Sequence, residues 1–295
     1  MMSNDNTPAR DMSRMTSAVE PAMSGFHGRL FRPGAGFSGD PRGRVVLVHG
    51  LNLAPVTMDP LAEWLAAQGF VVARVALTGH RESFRELVRV RHESWESDIA
   101  EVVAKLNRLE SDARSTPLYG VGFSLGGLLL SHHVRKLAIP TGSSGPGEDW
   151  KALALIAPAF LPRLGTGFPL GVLPRWLPYF SFTPRRLRRW VFCPHNAYIA
   201  IAGLMRAHMS AVQSAAGNAG PRCTVIIHPR DELVHAGRLV DPVFGNGLAS
   251  YEVQYVRDWH RRWTTPRHLI CHPSALSEPG WADLCSRISL ALGRV

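Results

Sequence analysis

The 295-residue chain has no run of about 18 or more apolar residues, so the sequence predicts no transmembrane helix. Residues 1–25 lack the apolar core of a signal peptide and are rich in Met, Ser, Asn, Asp and Thr, which predicts a disordered tail. Only four cysteines occur, and their positions show neither metal-ligand spacing nor a disulfide framework. We therefore expect no metal site and a reduced, cytoplasmic compartment.

Lysine is also scarce. The 33 basic residues include only Lys105, Lys136 and Lys151, and the rest are arginines that bring the net charge to +10. No Lys/Arg-rich stretch alternates with aromatic residues, no nucleic-acid motif occurs, and there is no internal repeat. The composition thus predicts no nucleic-acid partner, and we interpret most of the charge as solvated basic faces.

The most informative motif present is Gly-Phe-Ser-Leu-Gly at residues 122–126. An apolar, strand-like run (residues 118–121) precedes it, and an apolar, helix-compatible run (residues 127–134) follows. A Gly-x-Ser-x-Gly turn between a strand and a helix is typical of a nucleophile elbow. The glycines allow strand and helix to pack closely, so that the serine hydroxyl projects above the sheet. We predict Ser124 as a nucleophile.

A carboxylate partner is predicted after a later strand. Residues 223–228 form a β-branched run that ends in a proline-containing turn at residues 229–234. Asp231 lies just past this strand end, where a carboxylate can reach an imidazole across the top of the sheet. Asp231 is the favoured acid, and Glu232 and Asp241 are weaker substitutes.

The histidine partner has four candidates after Asp231, namely His235, His260, His268 and His272. His268 and His272 flank a short aliphatic stretch ahead of an amphipathic helix that is predicted to begin near Ser277 or Pro279. Because the base is expected in the loop before this last helix, we favour His268, with His272 as the alternative.

Strand-like and helix-like segments alternate along most of the chain. Strands are predicted near residues 44–48, 70–77, 118–121 and 152–157, with helices near 59–69 and 95–109. This alternation predicts an α/β fold, with a mostly parallel central sheet and helices on both faces. The length suits one domain with a small insertion.

Residues 159–195 interrupt this alternation because they combine many prolines with Phe, Trp, Tyr, Leu and Arg. We interpret the segment as a short cap, or lid, in which Trp176 and Phe180 line an apolar substrate pocket. Its arginines are expected to face outward, where they could favour an anionic membrane surface. The alternative is a loop packed on the main core, with a solvated basic face.

The chain resembles an α/β-hydrolase of the serine esterase, lipase and thioesterase kind from about residue 43 to its C-terminus. The matching stretches are the strand and His-Gly turn (44–52), a Gly-His turn (78–80), the elbow (122–126), the acid turn (229–234) and the His-plus-aliphatic stretch (268–273). Arg267 stands where the family usually has a glycine before the histidine. The resemblance implies a core of residues 26–158 and 196–295, with the cap inserted between them.

The resemblance also implies a role for each matching residue. Ser124 would be the nucleophile, His268 the general base and then acid, and Asp231 the group that fixes the imidazole tautomer. The backbone N–H groups of Leu51 and Leu125 would form the oxyanion hole.

These assignments predict a serine hydrolase that cleaves a carboxylic ester or thioester with a hydrophobic acyl part through an acyl-enzyme. The substrate would be a small or lipid-like ester, and no cofactor or metal is implied. Two alternatives remain open: an acyltransferase on the same fold, in which an alcohol replaces water, and a non-catalytic ligand-binding protein.

Overall fold

Strands alternate with helices through most of the computed structural model, which describes residues 18–19, 27–35, 37–109, 116–139, 149–163, 173–181, 183–214, 220–240, 251–257, 259 and 265–293. The strands are β1 (Ala18–Val19), β2 (Gly28–Arg32), β3 (Gly43–Val48), β4 (Phe70–Val75), β5 (Leu118–Phe123), β6 (Trp150–Ile156), β7 (Pro178–Phe180), β8 (Phe192–Pro194), β9 (Arg222–Ile227) and β10 (Tyr251–Tyr255). The helices are α1 (Asp59–Ala67), α2 (Phe84–Arg89), α3 (His92–Leu109), α4 (Leu125–Leu137), α5 (His195–Ser214) and α6 (Glu278–Ala291), with 3₁₀ helices at Pro55–Met58 and Ala236–Val240.

Eight of these strands form one sheet in the order β1-β2-β4-β3-β5-β6-β9-β10. The six strands from β4 to β10 in this order run parallel. At one edge of the sheet, β2 pairs antiparallel with β4, and β1 pairs antiparallel with β2. Every residue of β3 and β4 is buried, as expected for strands covered on both faces. The predicted α/β fold with a mostly parallel sheet is confirmed.

The two residues of β1 lie within the segment that was predicted to be a disordered tail. Ala18 and Val19 pair with Arg32 and Phe31 of β2. The open edge of β2 offers unpaired backbone groups, and a short extended segment satisfies them. The prediction is wrong for these two residues, and the rest of residues 1–25 lies outside the described part of the chain.

Parallel pairing brings the carboxyl ends of the central strands to one edge of the sheet. Val48 of β3 is in register with Gly122 of β5, and Phe123 of β5 is in register with Ile156 of β6. Ile156 is in turn in register with Ile226 of β9. The turns that follow β3, β5 and β9 therefore meet at this edge, which is where the predicted site residues lie.

Candidate active site

Ser124 occupies a strained turn between β5 and α4. Its backbone has φ 51° and ψ −112°, outside the usual helix and strand regions. The Ser124 N–H donates to the Ile156 carbonyl at 2.9 Å, which ties the turn to β6. Such strain is typical of a functional position held by its surroundings.

The two glycines of the motif are required because α4 approaches β5 closely at Gly122 and β3 closely at Gly126. A Cβ atom at Gly122 would lie 2.6 Å from the carbonyl carbon of Gly126, and one at Gly126 would overlap the carbonyl oxygen of Val48. Any larger residue would push the helix away from the strand. The spacing of these glycines in the sequence thus matches the geometry of the turn.

Three predicted residues form a chain of hydrogen bonds at the carboxyl ends of the strands. His268 Nε2 is 3.0 Å from Ser124 Oγ, and His268 Nδ1 is 2.8 Å from Asp231 Oδ2. Asp231 is fully buried and His268 is nearly so. Because an ionised carboxylate only accepts, this contact favours the proton on Nδ1 and leaves Nε2 free to accept the serine proton.

The second oxygen of Asp231 is also satisfied. Its Oδ1 accepts the backbone N–H groups of Leu233 and Val234, each at 2.8 Å. Burial by itself would raise the pKa of Asp231, but the interaction with His268 and these hydrogen bonds outweigh it, so the pKa lies below its ordinary value. The carboxylate therefore stays ionised although water is excluded.

Glu232, a weaker candidate for the acid, has a different contact. Its carboxylate accepts the backbone N–H groups of Arg267 and His268, both at 3.0 Å, and the Arg267 guanidinium lies 3.5 Å away. The side chain of Asp231 thus holds the imidazole of His268, while that of Glu232 holds its backbone. Nothing in the sequence pattern indicated this second contact. Asp241 lies outside the described residues.

His272, the alternative base, contacts its own turn instead of Ser124. Its Nδ1 accepts the backbone N–H of Ser274 at 3.0 Å and lies 2.8 Å from the Ser274 hydroxyl. Burial, together with the charge of Arg186, lowers the pKa of His272. Of the other candidates, His235 bonds through its backbone N–H to the Leu161 carbonyl, and His260 lies outside the described residues.

The predicted oxyanion donors flank the serine. Leu51 follows β3, and Leu125 is the first residue of α4. Within the described ranges, no protein acceptor lies within hydrogen-bonding distance of either N–H. A Cβ at Gly50 would lie 3.2 Å from the Ser124 Cβ, so the backbone ahead of Leu51 passes close to the serine.

Two buried imidazoles hold the turn that carries Leu51. His49 Nδ1 lies 2.8 Å from the Gly50 carbonyl, and its Nε2 accepts the Leu77 N–H. His80 Nε2 accepts the Asn52 N–H at 2.8 Å. Burial lowers the pKa of His49 to about 4 and that of His80 well below its ordinary value, so both rings are neutral acceptors. The two turns were recognisable in the sequence, whereas these contacts were not.

An apolar cavity of about 530 Å³ opens beside Ser124 and His268. Its lining is mostly aliphatic and aromatic, with a few polar groups, and includes Phe123, Tyr198, Ile201, Met205, Leu233 and Thr183. The volume falls within the range of small-molecule sites.

The prediction that Trp176 and Phe180 line this pocket is wrong. Trp176 is 66% exposed and Phe180 is 75% exposed, and neither contributes to the cavity wall. Phe180 lies in the β7–β8 hairpin, where side chains alternate between two faces, and its neighbour Tyr179 occupies the inner face.

The segment after the hairpin is joined to the turn that carries Leu51. The Asn52 side chain donates to the Trp190 carbonyl and accepts the Trp190 N–H, both at 2.9 Å. The Ala54 N–H donates to the Leu187 carbonyl, and the Trp190 indole donates to the Gly79 carbonyl. Residues 187–190 are therefore held against the turns that follow β3 and β4.

Neither a metal centre nor a membrane-spanning helix occurs in the described part of the chain. Among those residues, no group of three or more His, Cys, Asp or Glu could hold a metal ion. The helices described there are each too short or too polar to cross a bilayer. All four cysteines are buried and unpaired.

Comparison with known proteins yields a family and several similar structures. The family model described as serine aminopeptidase, S33 (Hydrolase_4) matches residues 39–197, more than half of the chain. A thermostable monoacylglycerol lipase from Bacillus sp. (strain H-257) is 30% identical over a segment covering 35% of this chain and 46% of the lipase. The match thus spans about half the length of that curated relative.

Solved structures share the fold over nearly the whole chain. A soluble variant of monoglyceride lipase from Saccharomyces cerevisiae, in complex with a substrate analogue, aligns with TM-score 0.64 at 13% identity, covering 97% of this chain and 98% of the lipase. Est1E from Butyrivibrio proteoclasticus with bound ferulic acid aligns with TM-score 0.59 at 16% identity, covering 90% and 97%. At these identities the likeness concerns the fold.

Proposed function

The chain belongs to the serine aminopeptidase S33 family of α/β hydrolases, and from that premise we propose that it hydrolyses carboxylic esters of the lipid-like kind. The observation that carries the proposal is a chain of two hydrogen bonds beside an apolar cavity. His268 lies 3.0 Å from the Ser124 hydroxyl and 2.8 Å from the Asp231 carboxylate. The similar region of a monoacylglycerol lipase supports an ester rather than a peptide substrate.

The proposed reaction follows from the proton positions. His268 Nε2 takes the hydroxyl proton of Ser124 while Oγ attacks the ester carbonyl, and the imidazolium then protonates the departing alcohol. Asp231 stabilises the imidazolium and keeps its orientation. Water, activated by the same histidine, attacks the acyl-enzyme and releases the acid.

The backbone N–H groups of Leu51 and Leu125 are assigned to the oxyanion that forms on the carbonyl oxygen. Each donor of this kind contributes about 3 kcal/mol to transition-state stabilisation. Their lack of an acceptor within the described residues supports the assignment, since both donors are then available to a ligand. His49 and His80 are positioning residues for the first donor.

The acyl part of the substrate is assigned to the apolar wall of the cavity. Tyr198, Ile201 and Met205 come from α5, and Leu233 comes from the turn after β9. We assign residues 159–195 as the cap and residues 26–158 and 196–295 as the core. Because each buried methylene contributes about 0.8 kcal/mol, medium-chain esters should have higher kcat/KM than acetyl esters.

The test is labelling with a fluorophosphonate, followed by assay of a series of p-nitrophenyl acyl esters. Ser124→Ala should abolish labelling and lower kcat by about 10⁴-fold or more. Ser286→Ala, which changes an exposed serine on α6, is the matched control and should behave as wild type.

Three outcomes would contradict the proposal in different ways. Absence of labelling in the folded wild type indicates a binding protein. Labelling with acyl transfer to an added alcohol, but no transfer to water, indicates an acyltransferase. A preference for acetyl esters removes the role given to the apolar wall.

A further inference from the structure

The β7–β8 hairpin carries an apolar surface that the fold leaves uncovered in the described part of the chain. Phe180 and Phe192 are paired across the hairpin with ring centroids 5.0 Å apart, and they are 75% and 37% exposed. Trp176, two residues before β7, is 66% exposed, and Val191, directly before β8, is 53% exposed. Exposed aromatic groups in one patch mark an interaction site more often than chance exposure does. We call these four residues the hairpin surface.

The same stretch of chain has a strongly one-sided charge. No Asp or Glu occurs between Asp149 and Asp231. Within this stretch the exposed arginines near the hairpin in sequence are Arg175, Arg185, Arg186 and Arg189. The hairpin surface is thus apolar at its centre and flanked by cationic groups that the segment itself does not neutralise.

The hairpin surface is continuous in the chain with residues that line the cavity. Ser181, Thr183 and Pro184 follow β7 directly and line the cavity. The chain therefore runs from the exposed Phe180, along the cavity wall, to the exposed Arg185. Among the described residues that line the cavity, Glu232 is the one carboxylate, and it is paired with Arg267 at 3.5 Å.

We propose that the hairpin surface docks on a bilayer that contains anionic lipids, and so places the cavity entrance against the lipid. This inference rests on the proposed lipid-like substrate and adds the surface from which that substrate is taken. Aromatic side chains insert at the level of the headgroups, while arginines pair with anionic headgroups around them. Both features are needed, because single weak anchors give only marginal membrane binding.

Charge decides between a bilayer and a second copy of the chain as the occupant. Docking two hairpin surfaces would bring two sets of arginines together without acidic residues of the same segment between them. An anionic bilayer instead supplies the opposite charge over a wide area, so it complements the arginines and the aromatic groups at once.

The experiment is co-sedimentation of the Ser124→Ala chain with vesicles of phosphatidylcholine alone or with phosphatidylglycerol added. The inactive variant separates binding from hydrolysis, so the result stands whether or not the proposed activity is found. Binding should require phosphatidylglycerol and weaken steeply as salt is raised.

Two pairs of substitutions test the surface. Arg175→Ser with Arg185→Ser should weaken binding about 25-fold, from about 5-fold for each arginine. Trp176→Ser with Phe180→Ser should weaken it at least tenfold. Arg42→Ser with Arg108→Ser is the control. Arg42 directly precedes β3, and Arg108 is near the end of α3, which leads to the start of β5, so both belong to the amino ends of the central strands.

Several results would overturn the proposal. These are equal binding to phosphatidylcholine vesicles, no binding to either, and equal losses for the control pair. Concentration-dependent dimerisation in analytical ultracentrifugation that Trp176→Ser with Phe180→Ser abolishes, without vesicle binding, would assign the surface to a second copy instead.

Discussion

Removal of the Glu232 carboxylate tests whether the backbone of the histidine loop must be held for the reaction. Glu232 accepts the N–H groups of Arg267 and His268 at 3.0 Å each and does not contact the imidazole. A hydrogen bond to a charged group contributes about 1.5–3 kcal/mol. Because the Glu232 side chain is 41% exposed, water replaces part of each bond, and we take about 1 kcal/mol for each.

The two bonds together correspond to about 2 kcal/mol, or about a 30-fold shift between the active and other loop conformations. Glu232→Ala should therefore lower kcat up to about 30-fold. Glu232→Gln keeps one acceptor but turns an amide N–H₂ toward the other donor, so its loss should be smaller, at about 5- to 10-fold. The KM should change less than kcat in both variants, because Glu232 is part of the cavity lining but the apolar wall is intact and the main loss is in the competent fraction.

The assay is steady-state kinetics on a p-nitrophenyl ester, with thermal unfolding measured in parallel. Glu252→Gln, an exposed carboxylate on β10 whose side chain bonds to Gln254, is the control. A Glu232→Ala enzyme with kcat within about twofold of wild type would refute the reasoning. So would a loss of activity that merely follows the fraction unfolded.

His268→Ala should lower kcat/KM by about four orders of magnitude, whereas His272→Ala should stay within about threefold; the reverse order in folded variants would give the role of base to His272. Asp231→Asn should be about as damaging as His268→Ala, because the imidazole loses the acceptor that fixes its tautomer, and a kcat near that of wild type would argue against this. Burial lowers the pKa of His208 to about 3 from 6.5, so the unfolded chain binds the extra proton first as the pH falls. The stability contributed by the neutral ring is complete above pH 6.5 and is lost between pH 6.5 and about 3, by up to about 1.4 kcal/mol per pH unit. His208→Phe, which keeps a ring against Phe160, should flatten this dependence in urea unfolding at mildly acidic pH, and an unchanged slope would contradict the assignment.

Local constraints made much of the fold predictable. The elbow depends on contacts within residues 122–126 and the strand and helix beside them, so the spacing of its glycines carries the geometry. The strands β3 and β4 are buried on both faces, and their continuous apolar runs reflect this. Asp231 could be placed because it follows a strand end directly.

Contacts between distant segments could not be predicted in the same way. His268 is 144 positions from Ser124 in the chain, and two histidines were plausible in the same loop. In the structure His268 contacts Ser124 and His272 contacts Ser274, and the Glu232 carboxylate accepts the His268 backbone N–H, a contact that no periodicity reveals. The prediction that Trp176 and Phe180 line the pocket was wrong for another reason. Composition indicates an apolar segment, but it does not indicate which face of a short hairpin points inward.

The contacts around the site imply that its loops are ordered before any ligand binds. The turn that carries Leu51 is held by His49 and His80, and also by the paired bonds between Asn52 and Trp190. The loop of His268 is held at its side chain and at its backbone by adjacent acids of one turn. Groups fixed in this way reach the transition state without further reorganisation. Because Trp190 lies two residues before the exposed Phe192, the hairpin surface is joined through a few bonds to the turn that carries Leu51. A substrate drawn from a bilayer at that surface would then meet an oxyanion site that is already assembled.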